Sequence, residues 1–99
     1  MPSGFVAILT VELHFPEAGS LKAKRRFVRS AKDNLRNRVG ASVSEVDHHD
    51  LWQRATLVVA CAARSAHDAE QLAETAERWL ASGDWVLTRC DRLLVSPED

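Results

Sequence analysis

Two amphipathic helix patterns set among four strand-like apolar segments predict an α+β fold, in which one sheet packs against one layer of helices. Along the chain, one alternating strand pattern precedes the first helix, two strand patterns lie between the helices, and one strand pattern follows the second helix. With 99 residues, 45% of them hydrophobic, the chain is long enough to form one core. We therefore expect a single domain over residues 1–99.

The segment from Gly4 to Phe15 alternates as a strand does. Its predicted inner face is wholly apolar and consists of Phe5, Ala7, Leu9, Val11, Leu13 and Phe15. The outer face begins with Val6 and Ile8 and becomes polar at Glu12 and His14, which indicates that something covers its first half.

The strongest helix pattern runs from Leu21 to the residue before Gly40, after a turn at residues 16–19. Ser20 can cap the first helical turn with its hydroxyl, and Gly40 suits the left-handed position that closes a helix. A spacing of about 100° per residue gathers one apolar arc. This arc contains Leu21, Phe27, Val28, Ala31, Leu35 and Val39.

Two strand patterns follow the first helix. Ala41 to Asp47 is short and irregular, whereas Arg54 to Ala63 is rich in Val, Ala and Leu on both faces and is expected in the centre of the sheet. The connection at residues 48–53 is short enough for the two strands to pair as a hairpin.

The second helix is expected after the capping residue Ser65 and through Ala81, and Trp85 to Val95 is expected as the last strand. The inward face of this helix should be formed by Ala69, Leu72, Ala73, Ala76, Trp79 and Leu80. The order β-α-β-β-α-β predicts the ferredoxin-like sandwich, a four-stranded antiparallel sheet with both helices on one face.

Positive charge is concentrated in the first helix, although the net charge of the chain is −1. Cations in the first two turns oppose the positive end of the helix dipole, and such a local conflict often marks function. We predict an anion- or nucleic-acid-binding surface formed by Lys22, Lys24, Arg25, Arg26, Arg29, Lys32 and Arg36. An ordinary solvated charged face remains the alternative.

Lys24 differs from the other cations because it falls inside the apolar arc of the helix. Its stem can cover the core while its ammonium group reaches solvent or pairs with a carboxylate at a strand end. Glu45 and Asp47 are the candidate partners, and for Lys24 this structural role is favoured over anion binding.

No metal, cofactor or catalytic set is predicted. The adjacent histidines in the segment from Asp47 to Asp50 would point apart in an extended chain, and Cys61 and Cys90 are isolated in apolar runs, where buried thiols are expected. The sequence contains neither a Gly-rich phosphate loop nor a nucleophile elbow, so we do not expect an enzyme.

No segment approaches the roughly 18 consecutive apolar residues that a membrane-spanning helix needs, and the N-terminus lacks the pattern of a signal peptide. A cytoplasmic protein without membrane partners is therefore expected.

The motifs Ser20-Leu21-Lys22-Ala23-Lys24-Arg25, Ser44-Glu45-Val46-Asp47 and Asp50-Leu51-Trp52-Gln53-Arg54-Ala55 resemble those of the YlxP-like family of small bacterial proteins, a domain of unknown function. The resemblance covers nearly the whole chain and implies a ferredoxin-like fold. It also implies a role near the ribosome, because genes of the family often lie beside those of translation and ribosome maturation factors. It marks Asp47, Asp50, Trp52 and Arg54 as positions of unknown role.

Trp52 is expected to anchor the 48–53 connection to the sheet rather than to stack on a base. The favoured function is a non-enzymatic RNA- or ribosome-associated binding protein that uses the basic helix. The alternative is a regulatory module that senses a small molecule at a dimer interface. A homodimer is expected, because the helices cover only one of two apolar sheet faces. A monomer with an exposed apolar sheet face is the alternative.

Overall fold

The computed structural model describes residues 4–97, and its elements follow the predicted order. They are β1 (Phe5–His14), α1 (Leu21–Val39), β2 (Ser42–Asp47), β3 (Arg54–Ala63), α2 (Ala66–Ala81) and β4 (Val86–Val95). The four strands form one antiparallel sheet in the order β2-β3-β1-β4. The ferredoxin-like α+β fold, the β2–β3 hairpin and the central position of β3 are thus confirmed.

The predicted capping residues define both ends of α1. The Ser20 hydroxyl accepts a hydrogen bond from the Ala23 amide at 3.1 Å, and Gly40 adopts the left-handed conformation with φ of 66°. The amides of Gly40 and Ala41 then donate to the carbonyls of Arg36 and Leu35, at 3.0 and 3.3 Å. These bonds satisfy carbonyls that a helix C-terminus would otherwise leave unpaired.

The core lies between the sheet and the helices. The inward residues of β1 from Ala7 onward are buried as predicted, and for β3 the inward set proves to be Leu57, Val59 and Cys61. In α2 the buried residues are Ala69, Ala73, Ala76 and Leu80, with Leu72 and Trp79 packed beside them. Cys61 is buried as expected, whereas the prediction for Cys90 is only partly met, because that residue is half-buried at an edge strand.

Four aromatic rings close one end of the core. Trp85 precedes β4 instead of beginning it, and its ring packs edge-on against Phe15, Phe27 and Trp79 at centroid distances of 5.5–6.3 Å. Its indole N–H donates to the Leu80 carbonyl at 2.6 Å. A Cβ atom at Gly83 would lie 2.5 Å from the indole ring, so the turn after α2 needs a glycine at this position.

Within residues 4–97 both helices pack on one face of the sheet, and we call the other face the open face. Paired residues of neighbouring strands share a face, so the register assigns Val6 and Ile8 of β1 to the open face together with Val58, Ala60 and Ala62 of β3 and Leu93 and Val95 of β4. Leu93, which pairs with Ile8, is 59% exposed. An apolar patch therefore occupies the end of the open face where β1 begins.

We predict that a second copy of the chain covers this patch and that Ile8→Lys separates the two copies. A lysine there would place a charge against the apolar partner surface, while Ile8 is only half-buried within one copy, so the variant should still fold. Light-scattering chromatography should show a dimer for the wild type and a monomer for Ile8→Lys.

The matched control is Gln71→Lys, which adds the same charge at an exposed position of α2 and should remain dimeric. A wild-type monomer at micromolar concentration contradicts the prediction.

Candidate nucleic-acid interface

Lys24 lies at the centre of the site, although it is not itself on the surface. Its side chain is 1% exposed, and its ammonium nitrogen lies 2.8 Å from Oε2 of Glu45 on β2. Because Oε2 is buried and receives no well-directed hydrogen bond within residues 4–97, the contact acts chiefly through charge. The predicted pairing with Glu45 is confirmed, and Lys24 pairs instead of extending to solvent.

The same ammonium group also binds the 48–53 connection. Lys24 Nζ donates to the backbone carbonyl of His48 at 2.6 Å and more weakly to that of His49 at 3.4 Å. His48 has a positive φ of 65°, which costs a residue with a side chain of the order of 1 kcal/mol. A hydrogen bond from a charged donor can offset a cost of that size, so Lys24 helps to fix the shape of this loop.

The other end of the loop is tied to β1 and the turn after it. The Phe15 amide donates to the Gln53 carbonyl at 2.8 Å, and the Gln53 side chain reaches the carbonyl of Pro16 at 3.5 Å. The 48–53 loop is therefore held against the start of α1 from one side and against the end of β1 from the other.

The outer face of α1 is strongly cationic. Lys22, Arg25, Arg26, Arg29 and Arg36 are exposed, and Lys32 is half-buried. Only Arg36 has an acidic neighbour in the described part of the chain, with Nη2 3.0 Å from Asp33 Oδ1. Among residues 4–97, no carboxylate oxygen lies within 4.0 Å of the charged groups of the others. Of the predicted anion-binding residues, Lys24 is thus buried, while the others lie together on the outer face of α1.

Three of these cations converge on a groove between α1 and the edge strand β2. The groove encloses about 240 Å³ and is lined by Arg25, Val28, Arg29, Lys32, Asp33 and Glu45. Its two acids are already paired, Glu45 with Lys24 and Asp33 with Arg36. Arg25, Arg29 and Lys32 are left as its uncompensated charges. We call this the basic groove.

Two of the acidic residues of α2 share one basic partner, which the sequence did not reveal. Arg92 on β4 bridges Glu70 at 3.0 Å and Glu77 at 3.1 Å. Glu77 in addition lies 3.4 Å from the Cys90 thiol. Burial first, and then the hydrogen bond to Glu77, raise the pKa of Cys90 to about 11. Arg92 thus balances only part of the acidic charge of α2, which also carries Asp68 and Glu74.

A second depression lies on the open face, at the end where β1 stops. It encloses about 410 Å³ and is lined by His14, Asp50, Leu51, Trp52, Gln53 and Arg54. Trp52 is 54% exposed and Leu51 45%, and neither belongs to the core. Among residues 4–97, Trp52 does not join the core, and backbone contacts of His48 and Gln53 hold the loop, so the structure adds no core contact in support of the expected anchoring role. We call this depression the Trp52 pocket.

Other motif positions have identifiable contacts. Asp47 accepts a hydrogen bond from the His48 amide at 2.8 Å, and Arg54 Nη2 lies 3.7 Å from Glu12 Oε1 across the open face. Asp50 lines the Trp52 pocket. Sequence reasoning missed His14 and Gln53 as parts of this pocket, and the only available signal was that His14 ends the outer face of β1 opposite the start of β3.

The two adjacent histidines have separate partners. The His49 ring is 3.1 Å from the Glu45 carbonyl, and the His48 ring is 3.9 Å from an Asp47 carboxylate oxygen. Among the residues that the structure describes, no three His, Cys, Asp or Glu side chains are grouped to hold a metal ion. Within the same residues, neither helix combines the length and the apolar character needed to cross a bilayer.

Fold and site together define a small ferredoxin-like protein with a basic first helix. The family model described as "Protein of unknown function (DUF503)" matches residues 6–91, so the chain belongs to the DUF503 family. The "Uncharacterized protein YlxP" of Bacillus subtilis (strain 168) is 33% identical over 55 residues, which make up 56% of this chain and 60% of that protein. The matched segment thus spans less than two thirds of this relative. The family match and this identity confirm the resemblance to the YlxP-like family.

We predict that Lys24→Met destabilises the protein by about 3–5 kcal/mol, the range for breaking a buried ion pair. The change leaves the Glu45 carboxylate and the His48 carbonyl without their charged partner. Urea unfolding followed by circular dichroism measures the loss.

The control is Lys22→Met, the same substitution at an exposed residue of the same turn, which should change the free energy of unfolding by no more than about 0.5 kcal/mol. Adding Glu45→Gln to Lys24→Met should recover part of the loss, because it removes the stranded charge. Equal stability of the Lys24 and Lys22 variants would falsify the structural role.

We predict that the Cys90 thiol reacts slowly with iodoacetamide at pH 8 and faster as the pH rises toward about 11. Because the folded pKa lies above the ordinary 9.0, the group stabilises the fold below pH 9 and loses this contribution as the pH passes 11. The rates should be measured in a Cys61→Ala background, where Cys90 is the remaining thiol.

Glu77→Gln provides the comparison for this pH profile. Removing the carboxylate should lower the Cys90 pKa and shift the alkylation profile to lower pH, since Glu77 disfavours the thiolate. Superimposable profiles for the two proteins would contradict the assigned contact.

Proposed function

We propose that this protein is a non-enzymatic RNA-binding protein that contacts the phosphate backbone with the outer face of α1. The observation that carries the proposal is the basic groove, where Arg25, Arg29 and Lys32 meet without acidic partners while both neighbouring acids are engaged elsewhere. Uncompensated cations that converge on a groove attract a polyanion and release its counterions on binding.

The position of the cations along the helix supports the same function. The first turn of α1 contains no acid, and Lys22, Arg25 and Arg26 lie where the helix dipole disfavours positive charge. A bound phosphate would relieve this conflict and could also accept hydrogen bonds from free amides of the first turn. With a rise of 1.5 Å per residue, Arg25 and Lys32 are about 10 Å apart along the axis, enough to contact more than one phosphate.

Binding of this kind is led by phosphate and depends little on base sequence. The open face of β1 and β3 carries no Phe, Tyr or Trp, and so lacks the pair of aromatic residues with which RNA-recognition-motif sheets stack bases. The residues there are Val6, Ile8, Thr10, Glu12 and His14 of β1 and Arg54, Thr56, Val58, Ala60 and Ala62 of β3. The role near the ribosome that the family resemblance implies makes ribosomal RNA, or a precursor of a ribosomal particle, the first partner to test.

We predict that Arg25→Glu/Arg29→Glu abolishes most RNA binding and flattens its salt dependence. If three phosphates are contacted, wild-type affinity should fall about 20- to 40-fold between 50 and 200 mM salt, whereas the variant loses two of these contacts and gains repulsion. Fluorescence anisotropy with a labelled fragment of ribosomal RNA, at both salt concentrations, measures both effects.

A matched control is Arg64→Glu/Arg78→Glu, which makes the same change in net charge at exposed positions outside α1. It should keep most of the affinity and the wild-type salt slope. Equal losses in the two double variants would show that only net charge matters, and a wild-type affinity that does not respond to salt would rule out the phosphate-led mode.

One observation favours the second candidate function, a regulatory module that senses a small molecule at a dimer interface. The Trp52 pocket has the volume of a metabolite site and lies on the same sheet face as the apolar patch, beside the surface that a second copy would cover. A thermal-shift screen with amino acids and nucleotides discriminates, because a ligand at about 100 times its dissociation constant stabilises by ~2.7 kcal/mol. The absence of any shift contradicts this candidate.

A further inference from the structure

The Trp52 pocket combines an exposed aromatic ring with hydrogen-bonding groups of several kinds. Trp52 supplies a flat apolar surface of which more than half is open to solvent, and Leu51 extends it. Asp50 and Gln53 lie in the same lining, where a carboxylate and an amide can accept hydrogen bonds from amino or imino groups. Arg54 adds a cation whose acidic neighbour, Glu12, lies at the loose distance of 3.7 Å.

This set of groups matches the parts of a nucleotide. A base can stack on an indole ring, the carboxylate of an acidic residue can accept from the exocyclic amine of a base, and a guanidinium group can bind a phosphate. An apolar metabolite would not need Asp50 and Arg54, and an apolar protein segment would leave both charges unpaired in a buried contact.

The pocket and the basic groove lie on opposite faces of the sandwich but near the same end of it. Lys24, near the start of α1, binds the carbonyls of His48 and His49, and the same loop continues to Trp52. The first two turns of α1, where Lys22 and Arg25 are exposed, are therefore connected to the pocket by a loop of only a few residues. A single-stranded RNA that lies on α1 can therefore pass over this loop and reach the pocket.

We infer that the Trp52 pocket binds one unpaired nucleotide of an RNA strand, with its base stacked on Trp52, the base edge toward Asp50 and a phosphate toward Arg54. This inference rests on the proposed function, in which the basic groove holds the phosphates of the same strand. The ligand class is then single-stranded RNA, or a single-stranded end or bulge of a folded RNA. A uniform duplex offers no unstacked base to the pocket.

The apolar patch of the open face does not compete with this assignment. His14 lines the pocket, and Ile8 lies six residues earlier on β1, about 20 Å away at the rise of a strand. A second copy stacked on the patch can leave the pocket accessible.

The experiment compares three RNA probes. They are decacytidylate, an abasic decamer with the same number of phosphates, and a duplex whose strands are ten residues long. Trp52→Ala should lower the affinity for decacytidylate about 5- to 150-fold and leave the affinity for the abasic decamer and the duplex unchanged. Trp52→Phe, which keeps an aromatic ring, should restore most of the decacytidylate affinity. Since Trp52 is 54% exposed and outside the core, these variants should fold.

Two further measurements separate the possible ligands and contacts. Arg54→Gln should reduce the salt slope for decacytidylate by about one, because one phosphate contact is lost. Cytidine monophosphate alone should bind far more weakly than the decamer, since it cannot use the basic groove. Equal affinity for the mononucleotide and the decamer would overturn the assignment to an RNA strand.

The outcomes also distinguish this inference from the proposed function. Unchanged decacytidylate affinity in Trp52→Ala, together with loss of binding in Arg25→Glu/Arg29→Glu, overturns the pocket assignment alone and leaves the exposed Trp52 and Leu51 as a protein-contact surface. If the wild type binds neither decacytidylate nor ribosomal RNA, both are overturned.

Discussion

The buried ammonium group of Lys24 is the interaction on which the site depends. It joins three parts of the chain, namely α1, β2 and the 48–53 loop. From α1 it contacts Glu45 on β2 and the carbonyls of His48 and His49 in the loop. Removing such a charge from water costs free energy, and this cost is offset only when polar or charged partners surround the buried group. The Glu45 carboxylate balances the charge of Nζ, and the two loop carbonyls accept hydrogen bonds from it, so the loop is part of the compensation.

This arrangement ties the surface chemistry to the core. By engaging Glu45, Lys24 neutralises one of the two acids beside the basic groove, and Asp33 is neutralised by Arg36. By holding the 48–53 loop, it fixes the backbone from which Trp52 extends into solvent. One buried cation thus supports both the basic groove and the exposed position of Trp52.

The elements of the fold were predictable because their signals are local. Ser20 and Gly40 define the ends of α1 by capping, and the alternation of β1 assigns its inner face, in agreement with the structure. Glu45 could be named as a partner of Lys24, since the helical wheel places that lysine in the apolar arc and few carboxylates lie at strand ends.

What escaped prediction depends on contacts between residues distant in sequence. The exposure of Trp52 follows from loop geometry, because the backbone atoms of His48 and Gln53 make contacts that hold the loop. The bridge from Arg92 to Glu70 and Glu77 requires the placement of β4 beside α2. The cations of α1 were predicted together, but only the packing separates the internal Lys24 from the exposed residues around it.

The open face is divided in the same way, into parts with different chemistry. A band of charged and hydroxyl side chains crosses its middle and contains Thr10, Glu12, Thr56, Arg89 and Asp91. Arg89 pairs with Asp91 at 2.9 Å, and the Thr88 hydroxyl donates to the Glu12 carbonyl beside the irregularity between β1 and β4. Charges and a bulge near an edge strand also discourage open-ended pairing with other sheets. The band keeps the apolar patch beside Ile8 apart from the Trp52 pocket, so association with a second copy and binding of a ligand can use the same face without sharing a surface.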